Sequence, residues 1–199
     1  MRKISTAFFV VVLAAFAQQA MAASATFSSS MRAPTADEIA GGVPAGATIN
    51  EYFVNADADI LSINQVVITP PSLTLYQETV VGDDVNAPNP ALFGAFPELA
   101  ADSFITTPGA TAIAGGGFGV DNSSWFDSSN DGAPAPNFRF AQLTSADTGL
   151  FTGRISLAGS AGPENFSFNL PIGIPEPSTY VLAGMGLIGI VALRRRRVC

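Results

Sequence analysis

Apolar and polar residues alternate along much of this chain, most cleanly towards its later part. In ENFSFNLP, Phe166, Phe168 and Leu170 fall on one side, and Asn165, Ser167 and Asn169 on the other. GLFTGRISLAG does the same, with Phe151, Ile155 and Leu157 set against Thr152, Arg154 and Ser156. A period of two is what a strand with one buried face requires. Further strands are predicted over 48–55 (TINEYFVN), 60–69 (ILSINQVVIT), 72–81 (SLTLYQETVV), 102–107 (DSFITT) and 137–144 (NFRFAQLT). The clusters TPPS, GDDVNAPNP, TPGAT and SSNDGAPAPN separate them as turns. Short strands punctuated in this way predict an all-β ectodomain over 47–172, an antiparallel β-sandwich or jelly roll. Residues 23–46 carry few large apolar side chains and are expected to be loosely ordered.

Both chain ends break the alternation. The first has basic Arg2 and Lys3, an uncharged apolar run from Ala7 to Phe16, and the small-x-small triplet Ala20-Met21-Ala22. This is the layout of a signal peptide over 1–22, with signal peptidase cutting between Ala22 and Ala23. The run is too short to cross about 30 Å of hydrocarbon, and polar Gln18 and Gln19 follow it. No cysteine stands at the cleavage point, so lipidation there is not expected.

At 199 residues the chain has room for one domain plus terminal signals. Apart from the terminal clusters, its only basic residues are Arg32, Arg139 and Arg154, against 16 acidic ones, a net charge of −13 for the intervening region. Such a surface repels phosphate backbones, which argues against nucleic acid as a partner. There is no histidine, and the single cysteine is Cys199. Those absences remove Ser-His-Asp and Cys-His catalysis, imidazole metal ligands, thiolate clusters and an internal disulfide. The expectation is a protein that is not an enzyme and holds no cofactor.

Several local motifs invite a chemical reading. DSSNDG places Asp127, Ser129 and Asp131 at loop positions one, three and five, with Gly132 at six, as a calcium loop begins. Phe138 falls where the closing carboxylate belongs, and Pro134 and Pro136 bar a following helix, so a solvated turn is expected, with calcium at Asp127 and Asp131 the alternative. Asp57 with Asp59, or Asp83 with Asp84, are pairs of the kind acidic loops contain by default. GMGLIG (184–189) has dinucleotide-type spacing but no preceding strand of a parallel sheet and no acidic residue beyond it. Its glycines read instead as small residues in an apolar helix. GGGFG (115–119) lacks the Lys and Ser/Thr of a phosphate loop. Trp125, the only tryptophan, reads as a core aromatic, with stacking on a sugar ring the alternative.

The last stretch runs Pro175-Glu176-Pro177-Ser178, then an apolar segment, then Arg194, Arg195, Arg196 and Arg197. The 14 uncharged residues from Tyr180 to Leu193 would span about 21 Å as a helix, a marginal membrane anchor. Arginines directly after it favour the cytoplasmic side, so the acidic domain would face outward. This segment resembles the PEP-CTERM sorting signal, with its motif at 175–178, helix at 179–193 and Arg cluster at 194–197. The resemblance implies recognition by exosortase, a membrane-embedded cysteine transpeptidase-like enzyme, and processing near Pro175-Glu176-Pro177. It also implies export to the envelope or surface of a Gram-negative bacterium, with transient inner-membrane anchoring and a link to exopolysaccharide or biofilm. A structural or adhesive surface protein is the leading expectation. An extracellular carbohydrate-binding or carbohydrate-active module and a plain single-pass membrane protein are the alternatives.

Overall fold

The computed structural model describes residues 22–78, 85–115, 117–118, 123–129, 132–160 and 162–173. Within them lie strands β1 (Ala25–Arg32), β2 (Thr48–Ala56), β3 (Ile60–Thr69), β4 (Phe104–Ile105), β5 (Thr111–Ala114), β6 (Ser123–Asp127), β7 (Phe138–Ser145), β8 (Gly149–Gly159) and β9 (Gly162–Ile172). A short helix, α1 (Ala36–Ala40), and two 3-10 turns, η1 (Pro90–Leu92) and η2 (Pro97–Ala101), complete the described elements. The strands form two antiparallel sheets, in the orders β1-β2-β7-β4 and β5-β6-β3-β8-β9.

The two segments with the clearest alternation pair with each other in the β8–β9 hairpin, in unbroken register from Gly149 opposite Ile172 to Gly159 opposite Gly162. Their apolar sides face the other sheet. Phe151 of β8 lies 5.2 Å from the Tyr52 ring of β2, and Phe168 of β9 lies 5.4 Å from Phe140 of β7 and 5.7 Å from Phe27 of β1. These inter-sheet rings form one core with Ile63, Trp125 and Leu143, so the fold is a β-sandwich. The residue opposite Phe168 is Gly153, where an added Cβ would meet the Phe168 ring at 2.6 Å. The missing side chain is the space that the ring occupies.

Phe140 reaches the core through a bulge. Pairing passes from Tyr52–Ala141 to Phe53–Arg139 and skips Phe140, so two residues oppose Tyr52 and both Phe140 and Ala141 are buried between the sheets. The outer face of the four-stranded sheet is partly covered as well. Ile49, Val43, Ala47 and Ala101 form a second small cluster there, where α1 packs on η2.

Three sequence expectations are corrected. Residues 23–46 are not loosely ordered throughout: β1 pairs with β2 along its whole length, and Phe27 wedges between Phe140 and Phe168. One aromatic and a complete backbone ladder suffice where few apolar residues are available. α1 has a full capping box, in which Thr35 Oγ1 accepts from Glu38 N–H and Glu38 Oε2 accepts from Thr35 N–H. Next, 72–78 is not a strand. The free side of β7 is shared: Phe104 and Ile105 pair with Gln142 and Ala141, Thr106 N–H donates to Phe140 C=O, and only Tyr76 N–H reaches Thr144 C=O at 2.7 Å. Finally, β5 and β6 arise in Ala-, Ser- and Gly-rich sequence where no strand is predicted, because Trp125 supplies the buried side chain that pins β6 beside β3.

Residues 1–21 of the signal peptide expected over 1–22, and the helix expected over 179–193, lie outside the described residues. No helix among the described residues is long and apolar enough to cross a membrane.

Candidate functional site

The folded unit is fastened at both ends, next to the expected processing points. At the start, Ser24 N–H and Ser24 Oγ each donate to a carboxylate oxygen of Asp57, both at 2.7 Å. Backbone and side-chain donors from Ser24 hold the Asp57 carboxyl below its ordinary pKa. Ala22 and Ala23, the residues either side of the expected signal cleavage, immediately precede this contact. Ala20 lies outside the described residues.

At the far end, the gripping groups come from the inner face of β2. Tyr52 Oη donates to Pro171 C=O at 2.6 Å, and Gly173 N–H donates to Asn50 Oδ1 at 3.1 Å. Asn50 is fully buried, and its amide nitrogen also donates to Thr48 C=O and Leu143 C=O at 3.1 and 3.0 Å. One side chain thus ties together β2, β7 and the exit of β9. Burial pushes the Tyr52 phenol above its ordinary pKa, so it remains a neutral donor across physiological pH. Gly173 takes φ +80, and an added Cβ would lie 2.9 Å from Thr148 Cγ2 and 3.0 Å from Asp147 O. Glycine is therefore needed where the chain leaves the domain.

The acidic candidates do not converge. Asp57 is committed to Ser24, while buried Asp59 accepts from Gly132 N–H at 3.1 Å. Asp127 Oδ1 accepts from Ser129 N–H at 2.8 Å and from Ser129 Oγ, a local turn that orders its own loop. Asp131, Asp83 and Asp84 lie outside the described residues. Among the described residues, no group of three or more Asp, Glu, Cys or His side chains is positioned to hold a metal ion. Of the three arginines in the body, Arg32 pairs with Glu38 and Arg139 with Glu51, while Arg154 is exposed on the outer face of β8.

Trp125 is a core residue with no exposed surface. Among the described residues its indole N–H has no hydrogen-bond partner, and it is one of the residues around a cleft of about 390 Å³, with Val66, Ile68, Leu73, Leu75 and Phe118. Full burial rules out a sugar ring lying on this tryptophan at the surface. The grip of Asn50 and Tyr52 on 171–173 was missed in the sequence. Its signal was a polar Asn at an inward position of TINEYFVN, which demands buried partners once the alternation is accepted.

A family model described as the PEP-CTERM protein-sorting motif matches residues 173–197. No significant match was found among curated proteins or among solved structures. The matched span contains Pro175, Glu176, Pro177, Ser178 and Arg194 to Arg197, which lie outside the described residues. Its first residue is Gly173, the last that β2 holds. The chain therefore carries a PEP-CTERM sorting signal that begins where the sandwich ends, and this signal indicates an exported protein of the cell envelope with exosortase as its processing partner.

Proposed function

We propose that the protein is a non-enzymatic structural or adhesive component of the surface or extracellular matrix of a Gram-negative bacterium, linked to exopolysaccharide or biofilm. Signal peptidase releases it between Ala22 and Ala23, the helix over 179–193 holds it transiently in the inner membrane, and exosortase cuts it near Pro175-Glu176-Pro177. The observation that carries this reading is the placing of the two fastenings. Ser24–Asp57 and Gly173–Asn50 both lie just inside the expected cuts, so processing at either end leaves both fastenings in the mature chain. Two prolines in the PEP segment disfavour helix and keep its backbone extended for an enzyme to grip.

Mass spectrometry of the protein recovered from a host with exosortase tests this. The expected mature chain begins at Ala23 and ends between Gly173 and Ser178. A terminus that runs intact through Cys199 would overturn the processing step. Replacing Pro175 and Pro177 together by alanine should leave the protein retained in the inner membrane, whereas unchanged localisation would return it to the class of plain single-pass proteins. Extracellular carbohydrate binding loses its aromatic platform with the burial of Trp125.

A further inference from the structure

We propose that β9 is a self-association edge, through which two copies of the domain pair antiparallel about a twofold axis at Ser167 and join their five-stranded sheets into one. Among the described residues, no strand pairs with the outer side of β9. Native edges of this kind are usually kept short, bulged or charged. β9 instead has 11 residues, an unbroken register with β8, and a single charge at Glu164.

The outward backbone groups can be assigned. In an antiparallel ladder, alternate residues turn N–H and C=O towards the neighbouring strand, and the others turn away. Pro171 C=O and Gly173 N–H bond to Tyr52 and Asn50 of the facing sheet, so positions of that parity point away from β8. Pro163 shares the parity, as expected of prolines that must not interrupt the β8 ladder. Asn165, Ser167 and Asn169 therefore present the free donors and acceptors, with a proline closing the row at each end.

This row is self-complementary. Pro163 to Pro171 reads P-E-N-F-S-F-N-L-P, the same in both directions except at Glu164 and Leu170. A twofold axis at Ser167 sets Ser167 against its own copy and Asn165 against Asn169, so each outward N–H finds a C=O. Pro163 meets Pro171, where neither has an N–H and the Pro171 carbonyl is already taken by Tyr52. On the inner face, half-buried Phe166 comes opposite Phe168. Glu164 faces Leu170, so no like charges meet. The row from Asn165 to Pro171 is an uncharged stretch on a body that otherwise repels its own copy, which makes a second copy a fitting occupant here. Strand pairing alone buries less than a standard interface, so the dimer is weak in free solution and gains strength when copies are crowded at a surface.

The exported protein with Cys199→Ser and Ser167→Cys tests the geometry, because only this residue sits on the axis. Under a mild chemical oxidant it should form a disulfide-linked dimer, while Arg154→Cys, directly opposite on β8 and one strand inside the edge, should not. In sedimentation runs the unmodified protein should show a dimer fraction that rises with concentration and with salt, since salt screens the acidic repulsion. Ser167→Pro, which follows the parity of Pro163 and Pro171, should abolish the dimer and leave the thermal midpoint unchanged. The proposal is overturned by a strictly monomeric protein at millimolar concentration, by a dimer that persists in Ser167→Pro, or by equal crosslinking at 154. These readouts report on pairing at β9 and do not depend on where the chain is sorted or cut.

Discussion

The two flanks of the sandwich end in different ways. On one side the edge strands are β1 and β9, of 8 and 11 residues, and the gap between them is closed by Phe27 and Phe168 with ring centres 5.7 Å apart. On the other the edge strands are β4 and β5, of 2 and 4 residues, and loops finish the sheets. There Gln142 Nε2 donates to Asp102 C=O at 2.7 Å and Ala100 C=O at 3.0 Å, Gln77 Nε2 to Ser103 C=O at 2.7 Å, and Thr144 N–H to Ser103 Oγ at 3.0 Å. The long-strand flank is held by rings meeting across the sheets. Side chains that stand in for missing backbone partners hold the other. Among the described residues the first leaves a regular backbone edge open, while on the second the four-stranded sheet ends in side-chain bonds to loop backbone.

The comparison breaks most sharply at Phe140, whose ring lies within 6.4 Å of those of Phe27, Tyr52, Phe151 and Phe168. Phe140→Ala should destabilise the domain by about 3–5 kcal/mol, by lost burial plus the cavity left among four rings. Chemical denaturation would show this as a lower midpoint at unchanged slope. Gln142→Ala, two residues along the same strand, removes the two bonds to the loop flank and the one that Gln142 Oε1 accepts from Arg139 Nη1 at 3.1 Å. It takes one donor each from the carbonyls of Asp102 and Ala100, the latter still accepting from Arg32 Nη2 at 3.2 Å, for about 1–3 kcal/mol in all. Hydrogen exchange should then report early opening around 100–105 with little change in β8 or β9. If Gln142→Ala cost more than Phe140→Ala, rings would not be the chief support of the fold.

This division also explains what could be read in advance. The strands over 149–159 and 162–172 were legible because each carries its own period-two record of a buried face, and those over 48–56, 60–69 and 138–145 because apolar, β-branched and aromatic residues run between turn clusters. β6 and β1 carry one large inward aromatic each, Trp125 and Phe27, and become strands because neighbours with strong patterns offer them a ladder. The segment 72–78 has the pattern of a strand and lacks only a vacant partner, since β4 already occupies the middle of β7. Local pattern says which residues can pair, and tertiary competition decides which do. The sorting motif was legible for the opposite reason: element order in its sequence identifies it. The exit clamp at Asn50 and Tyr52 was not, because nothing local states which strand end a buried amide will meet.

On the outer face of the four-stranded sheet, an ion pair fixes α1 to the end of β1. Arg32 grips Glu38 with two hydrogen bonds of 2.7 and 2.8 Å. Burial of Glu38 works against its charge, yet the bonds from Arg32 and from the Thr35 backbone prevail and hold its carboxyl below the ordinary range. Glu38→Gln should lose about 1–2 kcal/mol at neutral pH. Because the folded pKa is depressed, this difference is complete above the unfolded carboxyl value of about 4.3 and fades as pH falls through the lower folded value. Acid titration of the two proteins should therefore bring their stabilities together. A gap that stays constant down to pH 2 would mean that the carboxylate charge contributes nothing.

The smallest effect expected is at the clamp. Tyr52→Phe keeps the ring that packs at a tilt against Phe140 and Phe151 and removes only the hydroxyl bond to Pro171, for about 1 kcal/mol at neutral pH. Alkaline pH separates this bond from packing. Burial raises the Tyr52 pKa in the folded state, so above about pH 10 the unfolded chain releases the proton first and stability falls, by up to about 1.4 kcal/mol per pH unit for each such tyrosine. Tyr76, pushed up by burial and by Glu78, Glu98 and Asp102 nearby, contributes its own share in both proteins. The Tyr52→Phe curve should consequently be shallower above pH 10 and approach that of the native protein. At neutral pH the variant should also show faster amide exchange at Gly173, whose bond to Asn50 is left to hold the exit of β9 alone. Unchanged exchange there would place the fastening wholly in Asn50, and with it the boundary between the domain and the signal that follows.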